Sequence, residues 1–222
     1  MIIGLSGQAG AGKDTTADLL VKDYGFVKVA LADPMKRICR DVFAFSDEQL
    51  WGPSDKRNAP DERYPRGYFT GIAGPVPAID LGFLTPRYAL QTLGTEWGRN
   101  CYPDVWVEYA LRIAQRLNEG GYYYDTQSGL RPMMQVEGVM VPKKNVAISD
   151  VRFLNEIKSI QKQGGKVVRL RRQTTLSGSA TSHSSETEQL SIPDSTFDYV
   201  LDNSGPKENL PGLVQQMMKT LM

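Results

Sequence analysis

Short apolar runs alternate along this chain with stretches whose apolar residues recur at helical spacing. Residues 2–6 read as a first buried strand. Ala17, Leu20, Val21 and Tyr24 then share a helical face that Gly25 terminates. A second strand is expected over 26–32. Asp33 and Pro34 form an N-cap with proline in the first turn, opening a helix whose apolar face is Met35, Ile38, Cys39, Val42 and Phe43. Ser46 and Gln49 have the spacing of a capping box for a short helix beyond. Thr85 and Pro86 repeat the cap-and-proline signal ahead of a helix carrying Arg87, Gln91, Thr95 and Arg99. The next helix, over 104–118, is expected to bury Val105, Tyr109, Ala110, Ile113 and Leu117 before Gly120 and Gly121 stop it. Residues 122–144 suggest an inserted β-hairpin with a turn at Ser128 and Gly129. A strand over 145–149 ends at Asp150, a helix over 153–163 leads to a strand over 166–170, and 199–202 should be the last strand. Leu210, Leu213, Val214, Met217, Met218 and Leu221 mark a terminal helix whose methionines belong to the core.

This alternation predicts an α/β fold with a parallel sheet and helices on both faces. Two stretches break the pattern. Residues 45–86 scatter Pro53, Pro60, Pro65, Pro75 and Pro77 among glycines and charges, the character of a functional insertion. Residues 171–188 are rich in Ser and Thr and read as an exposed loop or lid. A length of 222 residues suits one domain with such excursions. Lys and Arg number 26 against 25 Asp and Glu, so no global field draws in nucleic acid. Cys39 and Cys101 give no disulfide framework, and no apolar run reaches the ~18 residues of a membrane span. The first strand runs straight into a glycine-rich loop and not through a signal peptide, so a cytoplasmic chain is expected. The lone His183 offers no basis for histidine-based metal or triad chemistry.

The chemistry is concentrated at Gly7, Ala9, Gly10, Ala11, Gly12 and Lys13, which follow the first strand in the pattern G-x-x-x-x-G-K. Glycines let successive backbone N–H groups turn toward phosphate oxygens, the following helix offers its positive N-terminus, and Lys13 adds a point charge. A nucleoside triphosphate is the expected ligand. The residue after Lys13 is Asp14, where a Ser or Thr hydroxyl usually meets magnesium. A carboxylate is also a hard oxygen ligand, so Asp14 is a candidate for holding Mg2+, and Thr15 and Thr16 for the nucleotide phosphates. Asp150, closing an apolar strand, has the form of the second magnesium-orienting motif of such proteins. Arg152 leaves the same strand edge and could grip a substrate phosphate in bidentate fashion. Arg152 also stands four residues from Glu156, the spacing of a surface ion pair.

Residues 5–18 (LSGQAGAGKDTTAD) resemble the bacteriophage deoxynucleoside monophosphate kinases, within the wider nucleoside monophosphate kinase group. So do residues 31–36 (LADPMK), 85–99 (TPRYALQTLGTEWGR), 149–156 (SDVRFLNE) and 199–203 (YVLDN). The resemblance implies a three-layer P-loop kinase fold with an acceptor-binding insertion and a lid. It implies transfer of the γ-phosphoryl group of ATP to a deoxynucleoside 5′-monophosphate (dNMP), for dNTP supply, with ATP and Mg2+ as donor and cofactor. Lys13, Asp14, Arg87, Asp150, Arg152 and Glu156 would be catalytic, and Asp14 and Asp150 would hold the metal. Asp33, Lys36, Trp51, Arg87, Gln91, Trp106, Arg152 and Glu156 would line the acceptor side. Arg171 and Arg172 could cover the adenine or the phosphates. The implied partner is the dNMP alone, with no nucleic acid and no membrane, and a homodimer is left open. Dephospho-coenzyme A and phosphomevalonate kinases remain alternatives on the same scaffold. A nucleotide switch is a further alternative, although the chain lacks the guanine-reading sequence Asn-Lys-x-Asp.

Overall fold

The apolar run after Met1 forms β1 (Ile2–Ser6), buried at every position, followed by α1 (Lys13–Tyr24) and β2 (Val27–Ala30). Next come α2 (Asp33–Phe43), α3 (Asp47–Trp51), α4 (Ser54–Asn58), β3 (Asp61–Pro65), β4 (Phe83–Leu84) and α5 (Pro86–Gln91). The chain continues through α6 (Val105–Asn118), β5 (Tyr123–Tyr124), β6 (Arg131–Pro132), β7 (Val146–Val151), α7 (Leu154–Lys162), β8 (Lys166–Arg171), β9 (Tyr199–Asp202) and α8 (Leu210–Leu221). This computed structural model describes residues 1–8, 10–66, 82–120, 123–124, 131–132, 142–172, 189 and 191–222. The chain divides into two units, one of Met1–Leu31, Asp104–Tyr124 and Arg131–Met222, the other containing Ala32–Pro103.

In the first unit five strands pair in parallel in the order β2-β7-β1-β8-β9. β1 is central, with strands added first to one side of it and then to the other. Its carboxyl end is therefore the switch point at which an open α/β sheet leaves a crevice for ligand. Ile3, Leu5, Ala147, Val168, Leu170 and Leu201 meet Ala17 and Leu20 of α1 and Val214, Met217 and Met218 of α8 in one core layer. On the opposite face Val151, Val167 and Ile160 of α7 close over Gly4. The three layers expected of a P-loop kinase fold are present. Ser6 pairs with Val151 although Gly4 pairs with Ile148, so β7 carries an extra residue at its end. Asp150 lies in that bulge with φ 66.

The second unit has its own core of Cys39, Phe45, Leu50 and Ala89, flanked by Phe43, Trp51, Tyr64, Leu84, Leu90 and Leu93. Phe43 stacks on Phe45, and Tyr64 meets both rings edge-on. Burial pushes the Cys39 thiol up to about 11, as befits an inert core cysteine. Asp61, only 7 % exposed, ties the unit together. It accepts two side-chain bonds from Arg63 at 2.7 and 2.8 Å and one from Gln49 at 2.9 Å, while Arg63 also donates to Ala44 O at the end of α2. The unit reaches beyond both ends of the expected 45–86 insertion, of which residues 67–81 lie outside the described residues.

Several expectations need correction. Ile38 (37 % exposed) and Val42 (68 %) leave the apolar face assigned to α2, whereas Met35 and Cys39 are buried and Phe43 packs against the unit's core. Val21 is likewise exposed on α1. In α6 the buried stripe runs through Trp106, Val107 and Ala110, with Val105 and Tyr109 only half-buried. The helix expected to carry Arg87, Gln91, Thr95 and Arg99 at even spacing is α-helical only to Gln91. It then widens into a π-helical stretch, Thr92–Arg99, whose Gly94 lies against Met35. Thr85 caps it as predicted, its hydroxyl accepting from Tyr88 N, and the Ser46–Gln49 capping box is formed. Of the 122–144 hairpin, β5 and β6 pair antiparallel, while its turn at Ser128 and Gly129 lies outside the described residues, as do His183 and most of the 171–188 lid.

The Asp61 cluster yields a pH prediction. Bonds from Arg63, with Gln49 adding to them, hold the Asp61 carboxyl well below the usual carboxylate range, against burial, which pushes it up. Stability from a depressed carboxyl is complete above its unfolded value and lost as pH falls through the folded one. Asp61→Ala should therefore lower stability by about 2 kcal/mol at neutral pH. In urea titrations, the gap to the unaltered protein should persist through pH 4 and narrow only in stronger acid.

Candidate active site

A phosphate cradle needs a concave backbone, and the turn between β1 and α1 has the conformation for it. Gly7, Gly10 and Gly12 all have positive φ (150, 78 and 98). Space is as restrictive as conformation. A Cβ on Gly7 would lie 2.6 Å from Leu170 O, and one on Gly12 2.6 Å from Asn203 Nδ2. Ala9, expected in this cradle, lies outside the described residues. Lys13, 9 % exposed, donates to Gly7 O at 2.6 Å and Gln8 O at 2.8 Å, so its ammonium closes the loop from within. A buried ammonium needs such partners, and phosphate oxygens would serve it as well.

Asn203 holds the loop from outside. Its amide, 4 % exposed, donates to Ala11 O at 3.0 Å, while its backbone N–H bonds to Arg171 O at 2.7 Å. One residue after β9 thereby links the loop to the end of β8. It belongs to the 199–203 run noted above, but a strand-end Asn carries no sign in sequence of what it touches. Gln189 went unnoticed for the same reason. Its buried amide donates to Ser6 Oγ and Val151 O, joining the ends of β1 and β7, and Arg169 grips its carbonyl.

Gly7, Gln8, Ala11, Leu170, Arg171, Arg172 and Asp202 line a cavity of about 460 Å³ beside the loop, together with Arg169, Gln189 and Ser204. Arg171 pairs with Asp194, which Arg169 also contacts at 3.0 Å. The two arginines predicted for the nucleotide, Arg171 and Arg172, are therefore both beside the cradle.

The remaining predicted residues are placed as follows. Thr15 is half-buried in the first turn of α1, whereas Thr16 is fully buried. Among the described residues, Thr16 Oγ1 and the equally buried Ser149 Oγ find no hydrogen-bond partner. Asp14 is well exposed, and its carboxylate lies 3.1 Å from Lys28 Nζ, which also reaches Asp18 at 3.1 Å. Burial, the largest single effect, lowers the Lys28 pKa, but the charges and hydrogen bonds of Asp14 and Asp18 together outweigh it and raise the pKa above its ordinary value. Asp150 and Arg152 are half-buried at the end of β7. Glu156, 3 % exposed, accepts from Arg152 N at 2.8 Å and Phe153 N at 3.1 Å, so it is a buried helix cap. The exposed surface pairing that its spacing allowed is not its setting. Trp106, expected on the acceptor side, is 7 % exposed in the buried stripe of α6. Two carboxylates, Asp14 and Asp150, with hard oxygen donors, fit a magnesium ion chemically. Among the described residues no cluster of three or more metal-ligating side chains occurs.

In the second unit the structure brings together Asp33, Lys36 and Trp51. Trp51 Nε1 donates to Asp33 Oδ1 at 3.4 Å, and the Lys36 ammonium stands 5.6 Å from the indole centroid. Arg40, not foreseen, approaches the same ring at 5.9 Å. Arg87 and Gln91 lie one turn apart on α5, both half-buried.

Asn203→Ala tests the outer clamp. It removes the bond to Ala11 O and should weaken triphosphate binding about tenfold, the equivalent of one buried hydrogen bond. Equilibrium titration would read this directly, and unchanged affinity would show that the loop keeps its shape without the clamp.

Comparison with known proteins adds the family. No family model matches the chain. A protein of Acanthamoeba polyphaga mimivirus named "Putative deoxynucleotide monophosphate kinase" is 32% identical over 204 residues, covering 92% of this chain and 89% of the viral one. Among solved structures, shikimate kinase from Aquifex aeolicus superposes with TM-score 0.46 at 11% identity, covering 100% of this chain and 96% of its own. Dephospho-CoA kinase from Campylobacter jejuni gives 0.45 at 14%, covering 99% and 96%. No described helix is long and apolar enough to cross a membrane. With a phosphate cradle at the switch point of its parallel sheet and this degree of identity across nearly the whole length of both chains, the protein belongs to the deoxynucleotide monophosphate kinase family.

Proposed function

We propose that this protein transfers the γ-phosphoryl group of ATP to a deoxynucleoside 5′-monophosphate, releasing ADP and the deoxynucleoside diphosphate. The observation that carries the reading is the cradle closed by Lys13 and Asn203, in a chain 32% identical to a viral protein named for that activity. In the reaction, a phosphate oxygen of the acceptor bonds to the γ-phosphorus as the bond from that phosphorus to the β-phosphate bridging oxygen breaks. Such chemistry asks for positioning and charge neutralisation more than for proton transfer, so a chain with one histidine is adequate.

Each residue group then has a task. The N–H groups of the loop and Lys13 bind the donor phosphates, and Thr15 adds a hydroxyl from the first helical turn. Asp150 and Asp14 would hold magnesium, which supplies positive charge against the phosphate oxygens. Asp14 reaches that role only by sharing its carboxylate with Lys28. Arg152 grips the acceptor phosphate, and Glu156 acts through it by fixing the backbone from which Arg152 projects. Asp33, Lys36, Trp51, Arg87 and Gln91 of the second unit recognise the acceptor nucleotide, and Arg171 and Arg172 attend the donor.

A coupled ADP-release assay with ATP and magnesium tests the reading against each dNMP, each NMP, dephospho-coenzyme A and phosphomevalonate. Turnover with one or more dNMPs is expected. Turnover confined to another acceptor would move the protein to a different small-molecule kinase activity, and triphosphate binding without any turnover would favour a nucleotide switch. Arg152→Ala should lower kcat/KM for the dNMP by about a hundredfold, the usual loss for one donor that stabilises transferring charge. Unaltered kinetics would remove Arg152 from the acceptor site.

A further inference from the structure

The cavity beside the phosphate loop is large enough for a purine nucleoside, since small-molecule sites occupy roughly 300–1,000 Å³. Among its described lining residues the charged side chains are mostly donors. Arg169, Arg171 and Arg172 can only donate. The amide nitrogen of Gln189 is committed to Ser6 and Val151. Asp202 is the one carboxylate among the described lining residues.

Its orientation is set. Ser204 donates to Asp202 Oδ1 twice, from its backbone N–H at 3.0 Å and its hydroxyl at 2.5 Å. Both bonds fall on one oxygen, so among the described residues Oδ2 keeps its acceptor capacity. The bonds from Ser204, with the nearby Arg171 guanidinium, also hold this carboxyl below its ordinary value, keeping it ionised at neutral pH. An adenine edge presents a matching group, an exocyclic amine that must find an acceptor or lose its bonds to water.

We propose that Asp202 selects the phosphoryl donor by accepting a hydrogen bond from the exocyclic amino group of its purine. The assignment rests on the donor site proposed above and adds the residue that discriminates between bases. A 6-keto purine presents an oxygen at that position and is repelled by a carboxylate, so ATP is preferred over inosine triphosphate.

Asp202→Asn is a sharp test because the two Ser204 donors would retain the amide oxygen at the Oδ1 position, leaving the NH2 group where Oδ2 stood. The acceptor becomes a donor at nearly constant volume. Calorimetric titration of the unaltered protein should show ATP binding at least about tenfold tighter than inosine triphosphate, the ratio expected for one charge-assisted hydrogen bond. In the variant that ratio should collapse or invert, through weaker ATP binding and stronger binding of inosine triphosphate. Equal weakening of both ligands, or an unchanged ratio, would overturn the role of Asp202 while leaving the donor site in place. Failure of the unaltered protein to bind either triphosphate would remove the donor site itself and both readings with it.

Discussion

A buried ammonium without partners is among the costliest features a fold can carry, and the site in this protein is organised around one. Lys13 points back into its own loop and bonds to two of its carbonyls. That choice fixes the curvature of residues 7–12, because carbonyls that turn inward toward the ammonium leave alternate N–H groups available to an anion. The loop cannot relax outward either. Asn203 holds Ala11 O from the far side, and Leu170 O stands where a side chain at Gly7 would be. The glycines are therefore dictated by neighbours as much as by backbone angles. The cradle's shape is set by the protein's own contacts, and a phosphate entering it would replace carbonyls as partners of Lys13.

The same economy governs the arginines. The chain is close to neutral, yet three guanidinium groups gather at the end of β8. Arg169 and Arg171 are anchored by Asp194, and Arg169 also by carbonyls that include those of Gln189 and Ile192. Anchoring removes rotamer freedom in advance, so less is lost when a ligand binds. It also keeps positive charge local, which a count over the whole sequence cannot reveal.

Much of this was legible in the sequence because the signals were local. The loop pattern, the capping box at Ser46, the Thr85 cap and the amphipathic terminal helix all depend on residues a few positions apart, and each has its expected form. The failures came from burial, local helix geometry and contacts made over long separations. Val42 is apolar at helical spacing, yet it stays 68 % exposed. Gly94 and Gly98 sit in a stretch whose turns widen to π geometry, which shifts Thr95 and Arg99 off the row of Arg87 and Gln91. Glu156 has the spacing of a surface ion pair, yet burial turned its carboxylate to backbone N–H groups. Asn203 bonds across 192 residues to the loop it clamps, a distance at which no periodicity speaks.

Asp150 shows how position can matter more than residue type. An acidic residue at a strand end is common, and by itself it says little about function. Here β7 gains an extra residue just where it passes β1, and Asp150 takes a left-handed conformation that costs an ordinary residue about 1 kcal/mol or more. Asp tolerates that region better than most, which makes the bulge affordable at this residue and expensive at Val151 beside it. The bulge also keeps Val151 on the Ile160 side of the sheet, so the core closes despite the added residue. A regular strand would have satisfied the ladder without strain. Its replacement by a bulge centred on the carboxylate fits a strand end shaped by the demands of the site next to it, with the well-packed β1–β7 pairing below absorbing the distortion.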